Sequence, residues 1–531
     1  MNSRLPWITV TMVITIGMLI GWWLGQSASQ TGDAGQEIGQ RVRPEQRPPS
    51  HERSRIPKIQ KLPTGKAPFD LDARDAGAVQ GQRWLRFSDR DSMERFLSRL
   101  EGSGISVLGS IDPLNALRIG FSDLDGLSSL LDGSEESGYI FPVTVPDVGT
   151  VDEGALGFGR SLLQWLGLEG SNQGAGTGIS VAVLDTGIGE SSVFSGSIRR
   201  INLVDLPANM ADLNGHGTAV GSLIASELGL APGASLLSIR VANDNGTSDS
   251  FTLAQGVIAA ADAGVNIINI SMGSSGDSSI LRSAIEYAQA TGAIVVASAG
   301  NDGANYVSYP AAYNGVVSVG AVDANGSHLN FSNSGDVTIS APGLSVFAAS
   351  PGDQGVLFTG TSSSAPIVSS AIAYVMQTQN VSAQQAINML VQYSNDAGAP
   401  GTDPALGAGY LDIGRINRLG DPTATDAAIA SNYVTEGTNG SVLQVTVQNR
   451  GNTTLVNAPV QVTTPSGLVT LNVATLPAGK SQTFELPLVT ATVQQGQEIR
   501  IDSSVSLSSG GTDLNPSNNR RVDVYTPADA P

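Results

Sequence analysis

The spacing of apolar positions changes from one stretch of the chain to the next, and each change predicts a different kind of element. Trp7 to Leu24 is an eighteen-residue run without a charged side chain, preceded by Arg4 and closed by Trp22-Trp23. That length reaches the lower limit of a membrane-spanning helix and also suits the apolar part of an export signal. Ser27-Ala28-Ser29 offers such a signal a small-residue cleavage site. Residues 1–30 are therefore expected to be a signal peptide or a membrane anchor, with everything after Gly25 outside the cytoplasm if the anchor stays. Residues 31–79 carry Gly, Gln, Arg, Pro and Lys with few large apolar groups, which predicts a disordered linker.

From Arg83 the texture changes. Trp84, Leu85 and Phe87 predict a strand. Met93, Phe96, Leu97 and Leu100 then fall at helical spacing behind an Asp91-x-x-Glu94 capping box. Ile105 to Leu108 and the alternating Leu117, Ile119 and Phe121 predict two strands, Leu124 to Leu131 a helix, and Tyr139 to Val145 a last strand. The order is βαββαβ over residues 80–146. Residues 150–420 alternate continuous apolar runs, clearest at Ile179 to Leu184, with Ala- and Gly-rich helical stretches. This is the pattern of an α/β domain whose parallel sheet is covered on both faces. Residues 424–531 return to short β-rich runs such as Val442 to Val447, Val460 to Val462 and Phe484 to Leu488, separated by Gly, Asn and Pro, and predict an all-β sandwich.

Composition narrows the function classes. A formal charge of -19 over 531 residues argues against nucleic acid as a partner, because a phosphate-facing surface needs clustered Lys and Arg. The chain has no cysteine, which excludes disulfides, thiolate metal sites and a thiol nucleophile. No His-Glu-x-x-His pattern for zinc is present.

Four short segments carry candidate chemistry. Asp185-Thr186-Gly187 ends the clearest strand, where parallel sheets place functional side chains. Of three histidines, only His216 is bracketed by glycines, in Asn214-Gly215-His216-Gly217-Thr218; His51 lies in the linker and His328 in a polar turn-like stretch. Ala299-Gly300-Asn301 ends another apolar strand, Ala293 to Val296, with a side-chain amide. Gly360-Thr361-Ser362 precedes an apolar helical run, so that Ser362 should face unpaired N–H groups at a helix amino terminus. Together they supply a nucleophile (Ser362), a general base (His216), a carboxylate to orient the imidazole (Asp185) and an amide donor to a developing oxyanion (Asn301).

These motifs, in the order Asp, His, Ser, resemble those of the subtilisin-like serine peptidases. The resemblance runs from about Val181 to Ile416 and includes Tyr309-Pro310-Ala311, Ala341-Pro342-Gly343 and Gly409-Tyr410-Leu411-Asp412. It implies an endopeptidase acting on protein or peptide substrates through an acyl-enzyme on Ser362. It further implies that Ser271, Met272 and Gly273 bind the substrate backbone. One departure stands out, since the family's usual Met-Ala after Gly-Thr-Ser is replaced by Ser363 and Ser364, which puts the packing beside the nucleophile in question. By the same resemblance, residues 80–146 are a ferredoxin-like pro-domain that acts as an intramolecular inhibitor of a zymogen, with a maturation cut between Phe141 and Gly154. The turns Asn449-Arg450-Gly451-Asn452 and Asn515-Pro516-Ser517-Asn518-Asn519 resemble landmarks of adhesion-type immunoglobulin-like modules. No cofactor is required. Family members often bind calcium, but Asp244-Asn245-Gly246 and Asp302 read better as solvated turns because no dense carboxylate loop is visible. The competing expectation is a non-catalytic surface or adhesion scaffold that keeps the peptidase fold.

Overall fold

The computed structural model describes residues 70–152, 154–168, 170–204, 212–437, 440–488, 498–508 and 512–525. The expected signal or anchor at residues 7–24 and the linker up to residue 69 lie outside the described residues, among which no helix is long and apolar enough to cross a membrane. The first elements are α1 (Leu71–Asp75), β1 (Gln82–Arg86), α2 (Arg90–Leu97), β2 (Ser106–Ile111), β3 (Ala116–Gly120), α3 (Leu124–Leu130) and β4 (Glu136–Gly138). The strands form an antiparallel sheet in the order β2-β3-β1-β4. Leu85, Phe87, Leu117 and Ile119 meet Met93 and Phe96 of α2 and Leu124 and Leu127 of α3. Alternation along β1 sends Trp84 to the opposite face.

Two local expectations fail here. The cap of α2 is Asp89, whose extended backbone lets its carboxylate accept the Ser92 N–H at 2.7 Å. Asp91 sits in the first turn, and Glu94 pairs with Arg90 at 3.1 Å. Order also begins before residue 80. Asp70 accepts the Ala73 N–H at 3.1 Å at the head of α1 and pairs with Arg83, both side chains fully buried. The Arg83 guanidinium lies 3.9 Å from the Tyr139 ring centroid. Burial pulls its pKa down and the Asp70 charge opposes that.

The next elements are β5 (Pro142–Thr144), α4 (Leu162–Trp165), β6 (Ser180–Asp185), β7 (Arg199–Asn202), α5 (His216–Ala225), β8 (Ser235–Arg240), β9 (Thr247–Asp249), α6 (Ser250–Asp262), β10 (Ile267–Ile270), α7 (Ser279–Ala290), β11 (Ile294–Ser298), β12 (Val317–Val322) and β13 (Ile339–Pro342). Then come β14 (Val346–Ser350), β15 (Gln354–Phe358), α8 (Thr361–Thr378), α9 (Ala383–Gln392) and α10 (Ile413–Asn417). A seven-stranded parallel sheet runs β13-β12-β11-β10-β6-β8-β7. Its two faces feed separate cores. Val181, Val183 and Val296 face α5 and α8, whereas Ala182, Leu184, Ile268 and Val295 face α6 and α7. Because the strands are parallel their carboxyl ends share one rim of the sheet, and the reversal of strand order between β6 and β10 is where a crevice opens at that rim.

Of the stretch Tyr139 to Val145, only Pro142–Thr144 forms a strand, and the strand at the edge of the first sheet comes before it. β4 completes the first sheet, and β5 pairs with β9 instead. Ile140 and Val143 leave the first unit and join the core under α6, while Tyr139 and Phe141 cover Ala73. The outer face of the first sheet follows them, with Trp84 and Ala116 in the same cluster as Phe251. Arg118 seals that contact by pairing at 2.8 Å with Asp249, the carboxylate that caps α6.

Beyond Gly420, β16 (Ala427–Gly437), β17 (Gly440–Asn449), β18 (Leu455–Thr464), β19 (Gly467–Leu476), β20 (Ser481–Leu488), β21 (Ile499–Val505) and β22 (Arg520–Tyr525) form two antiparallel sheets, β16-β17-β20 and β19-β18-β21-β22. Leu443, Val445 and Val447 of one face Val460, Val462 and Ile501 of the other in a single core. Gln448 ties this region to the α/β domain by accepting the Asp396 N–H at 3.1 Å and donating to the Ser394 carbonyl at 3.3 Å.

Candidate active site

Asp185 is the last residue of β6 and fully buried. Its Oδ1 accepts the Thr186 N–H at 2.7 Å and faces His216 Nδ1 at 2.8 Å. His216 opens α5, and the helix can approach so closely only because Gly217 has no side chain. A Cβ there would stand 2.0 Å from the Gly187 carbonyl oxygen. Gly215 turns the chain into the helix at φ 88°, a conformation costly for other residues. Asp212 braces this turn, accepting the N–H groups of Gly215 at 2.8 Å and Thr218 at 2.9 Å. Thr186 Oγ1 donates to the same carboxylate at 2.9 Å and accepts the Gly217 N–H at 3.0 Å. The Phe358 ring meets the imidazole edge-on at 5.2 Å. Nε2, the ring nitrogen turned away from Asp185, is buried without a hydrogen-bond partner.

Ser362 is the second residue of α8, behind Gly360 at φ 124°. Its hydroxyl donates to the Ser271 carbonyl at 3.1 Å and makes no hydrogen bond to His216. Asn301 follows β11 and is fixed through its oxygen, which accepts the Thr361 N–H at 2.9 Å and the Thr361 hydroxyl at 2.8 Å. Those two bonds settle which end of the amide is the donor. Nδ2 points to the Pro146 carbonyl at 3.5 Å. Ser363 and Ser364, the departures from the family pattern, leave no polar atom stranded, as their hydroxyls donate to the Gly360 carbonyl at 2.8 Å and the Ala341 carbonyl at 3.1 Å.

Ser271, Met272 and Gly273 leave β10 and form one wall of a cleft, whose opposite wall is β9. Between them lies β5, in register Pro142 with Asp249 and Thr144 with Thr247. Thr144 and Gly273 exchange both backbone hydrogen bonds at 3.0 Å, and the Val145 N–H donates to the Gly246 carbonyl at 2.9 Å. The cleft thus holds an extended segment by its backbone on both edges. Sequence reasoning missed two parts of this site. β9 is polar and short, with no apolar alternation to mark it. Asn333, fully buried in Phe331-Ser332-Asn333, anchors the loop after Asn301 by accepting the N–H groups of Asp302 at 2.9 Å and Ala304 at 3.0 Å. Among the described residues no three His, Asp or Glu side chains group as a metal site, and Asp244 pairs with Arg240.

The arrangement can relay a proton from a hydroxyl through an oriented imidazole and can offer an amide to a negative oxygen. Comparison with known proteins agrees in kind. The subtilase family model matches residues 176–409. Subtilisin DY of Bacillus licheniformis is 34% identical over 235 residues, covering 42% of this chain and 86% of that protein. Alkaline elastase YaB of a Bacillus species is 32% identical over 322 residues, 57% of this chain and 83% of its own. Subtilisin Savinase of Lederbergia lenta is 37% identical over 212 residues, 38% of this chain and 77% of its own.

Proposed function

The chain belongs to the subtilase family, and from that premise we propose that it is an exported serine endopeptidase made as a latent precursor. Ser362 Oγ attacks the scissile carbonyl of an extended polypeptide while His216 Nε2 takes its proton. Asp185 holds the imidazole in the tautomer that leaves Nε2 free and stabilises the imidazolium that forms. The oxygen that becomes negative meets Asn301 Nδ2 and the Ser362 N–H at the amino terminus of α8, where the macrodipole also favours it. Collapse expels the amine, which takes the proton from His216, and water then releases the acyl group by the same relay.

The observation that carries this reading is the 2.8 Å contact between Asp185 Oδ1 and His216 Nδ1, with the far ring nitrogen unpartnered. The carboxylate fixes one ring nitrogen and leaves the other free to take a proton. Export is supported by the uncharged run at 7–24, and latency by β5 lying where a substrate strand would lie. Residues 80–146 then act as the intramolecular inhibitor. A serine-directed fluorophosphonate should label the form from which that segment has been removed, and Ser362→Ala should abolish both labelling and peptide hydrolysis. Hydrolysis that survives the substitution would place the chemistry elsewhere.

A further inference from the structure

Antiparallel pairing fixes what should follow the Thr144–Gly273 pair. Residues opposite one another alternate between exchanging both hydrogen bonds and exchanging none. Thr144 and Gly273 exchange both, so Val145 and Met272 exchange none, and the next bonded pair is residue 146 with Ser271. In that pair the N–H of residue 146 should donate to the Ser271 carbonyl. Residue 146 is Pro, which has no N–H. The Ser271 carbonyl has taken a different donor, the Ser362 hydroxyl at 3.1 Å. His216 Nε2 is left buried with no partner, although the Pro146 carbonyl is already presented to Asn301 Nδ2. The hydroxyl proton therefore points at a backbone oxygen and not at His216.

We propose that Pro146 is a chemical stop, so that the chain's own triad does not cut the Pro146–Asp147 bond and activation requires a second peptidase molecule acting on the segment after it. The inference rests on the peptidase reading above. Residues 147–152 have no secondary structure and all are exposed, Val148 and Val151 each at 40%. They form the accessible link between the strand in the cleft and the α/β domain. Hydrolysis there adds water across one peptide bond, giving a carboxylate and an amine. It frees the first unit from the rest of the chain without using Ser362. Once that unit has left, a substrate bearing an N–H at the position of Pro146 satisfies the Ser271 carbonyl and releases the hydroxyl to His216.

The test uses the purified full-length chain, Pro146→Ala, and Pro146→Leu as a second variant in case the first folds poorly. Cleavage is followed by amino-terminal sequencing. Each protein is also nicked by a metallopeptidase, to which a fluorophosphonate is blind, and then labelled. Wild type should stay intact and label only after nicking. The variants should cut themselves after residue 146 at least about tenfold faster, at a rate independent of concentration, because a restored hydrogen bond is worth about one decade. Wild type that cuts itself between residues 146 and 147 at the variants' rate would overturn the proposal, as would variants that stay intact although their nicked forms label. Absence of labelling in every nicked protein would instead overturn the peptidase reading, and this inference with it.

Discussion

At the residue scale the site is a set of short bonds, each of which makes a substitution readable. Asn301→Leu removes the amide donor and the acceptor that positions Thr361, and kcat should fall by about 10²–10³ with KM little changed. Asp185→Asn should cost about 10⁴ in kcat by favouring the wrong tautomer. Steady-state kinetics on a peptide substrate checks both. His328 is half-buried, and the partial loss of water around it holds its imidazole below the usual range against the pull of Asp403. The unfolded state then binds more protons below the ordinary value, so stability is full above about 6.5 and falls as pH drops through the lower folded value. Thermal melts between pH 7.5 and 5 should show that loss, and His328→Asn should flatten it. Asp185, His216, Asn301 and Ser362 could be singled out as candidates because each sits in a short contiguous string with a glycine. Asn333 could not, since its role lies in backbone groups some thirty positions away.

At the element scale, helices and buried strands announced themselves through apolar spacing, and their exact ends did not. The cap of α2 moved from Asp91 to Asp89 because backbone conformation decides which carboxylate can reach a free N–H. The last predicted strand, Tyr139 to Val145, shrank to Pro142–Thr144, which pairs with β9 more than a hundred positions away, while the edge of the first sheet is taken by Glu136–Gly138 just before it. No local pattern encodes such a pairing. Close packing of α5 against the turn after β6 yields its own prediction. Gly217→Ala places a methyl against the Gly187 carbonyl and should destabilise the fold by about 1–3 kcal/mol. Denaturant titration measures the cost, and activity should fall further than stability because His216 leads the displaced helix.

At the scale of the whole molecule, the regions are joined by polar stitches in addition to shared cores. Gln448 bonds to the chain at Ser394 and Asp396, and the Arg450 guanidinium lies 5.7 Å from the Tyr410 ring centroid. Beneath them Arg415 is buried enough to bring its pKa down to about 10, and it donates to the Ser394 carbonyl at 2.6 Å. A chain ending at Leu419 uncovers these groups, and its melting temperature should lie at least about 4 °C below that of the full chain by calorimetry. The order of regions was legible from changes in texture, whereas their seams were not, because a seam is written in side chains that look like ordinary surface. The cleft carries one consequence for whatever is to be cut. An occupant must give up the hydrogen-bonding groups on both its flanks at once, to β9 on one side and to Gly273 on the other. Proteins whose backbones are already committed to their own helices and sheets cannot do that. A peptidase of the kind proposed above would therefore spare intact neighbours and take chains that are unravelled, nascent or damaged, choosing first by state of folding and only then by side chain.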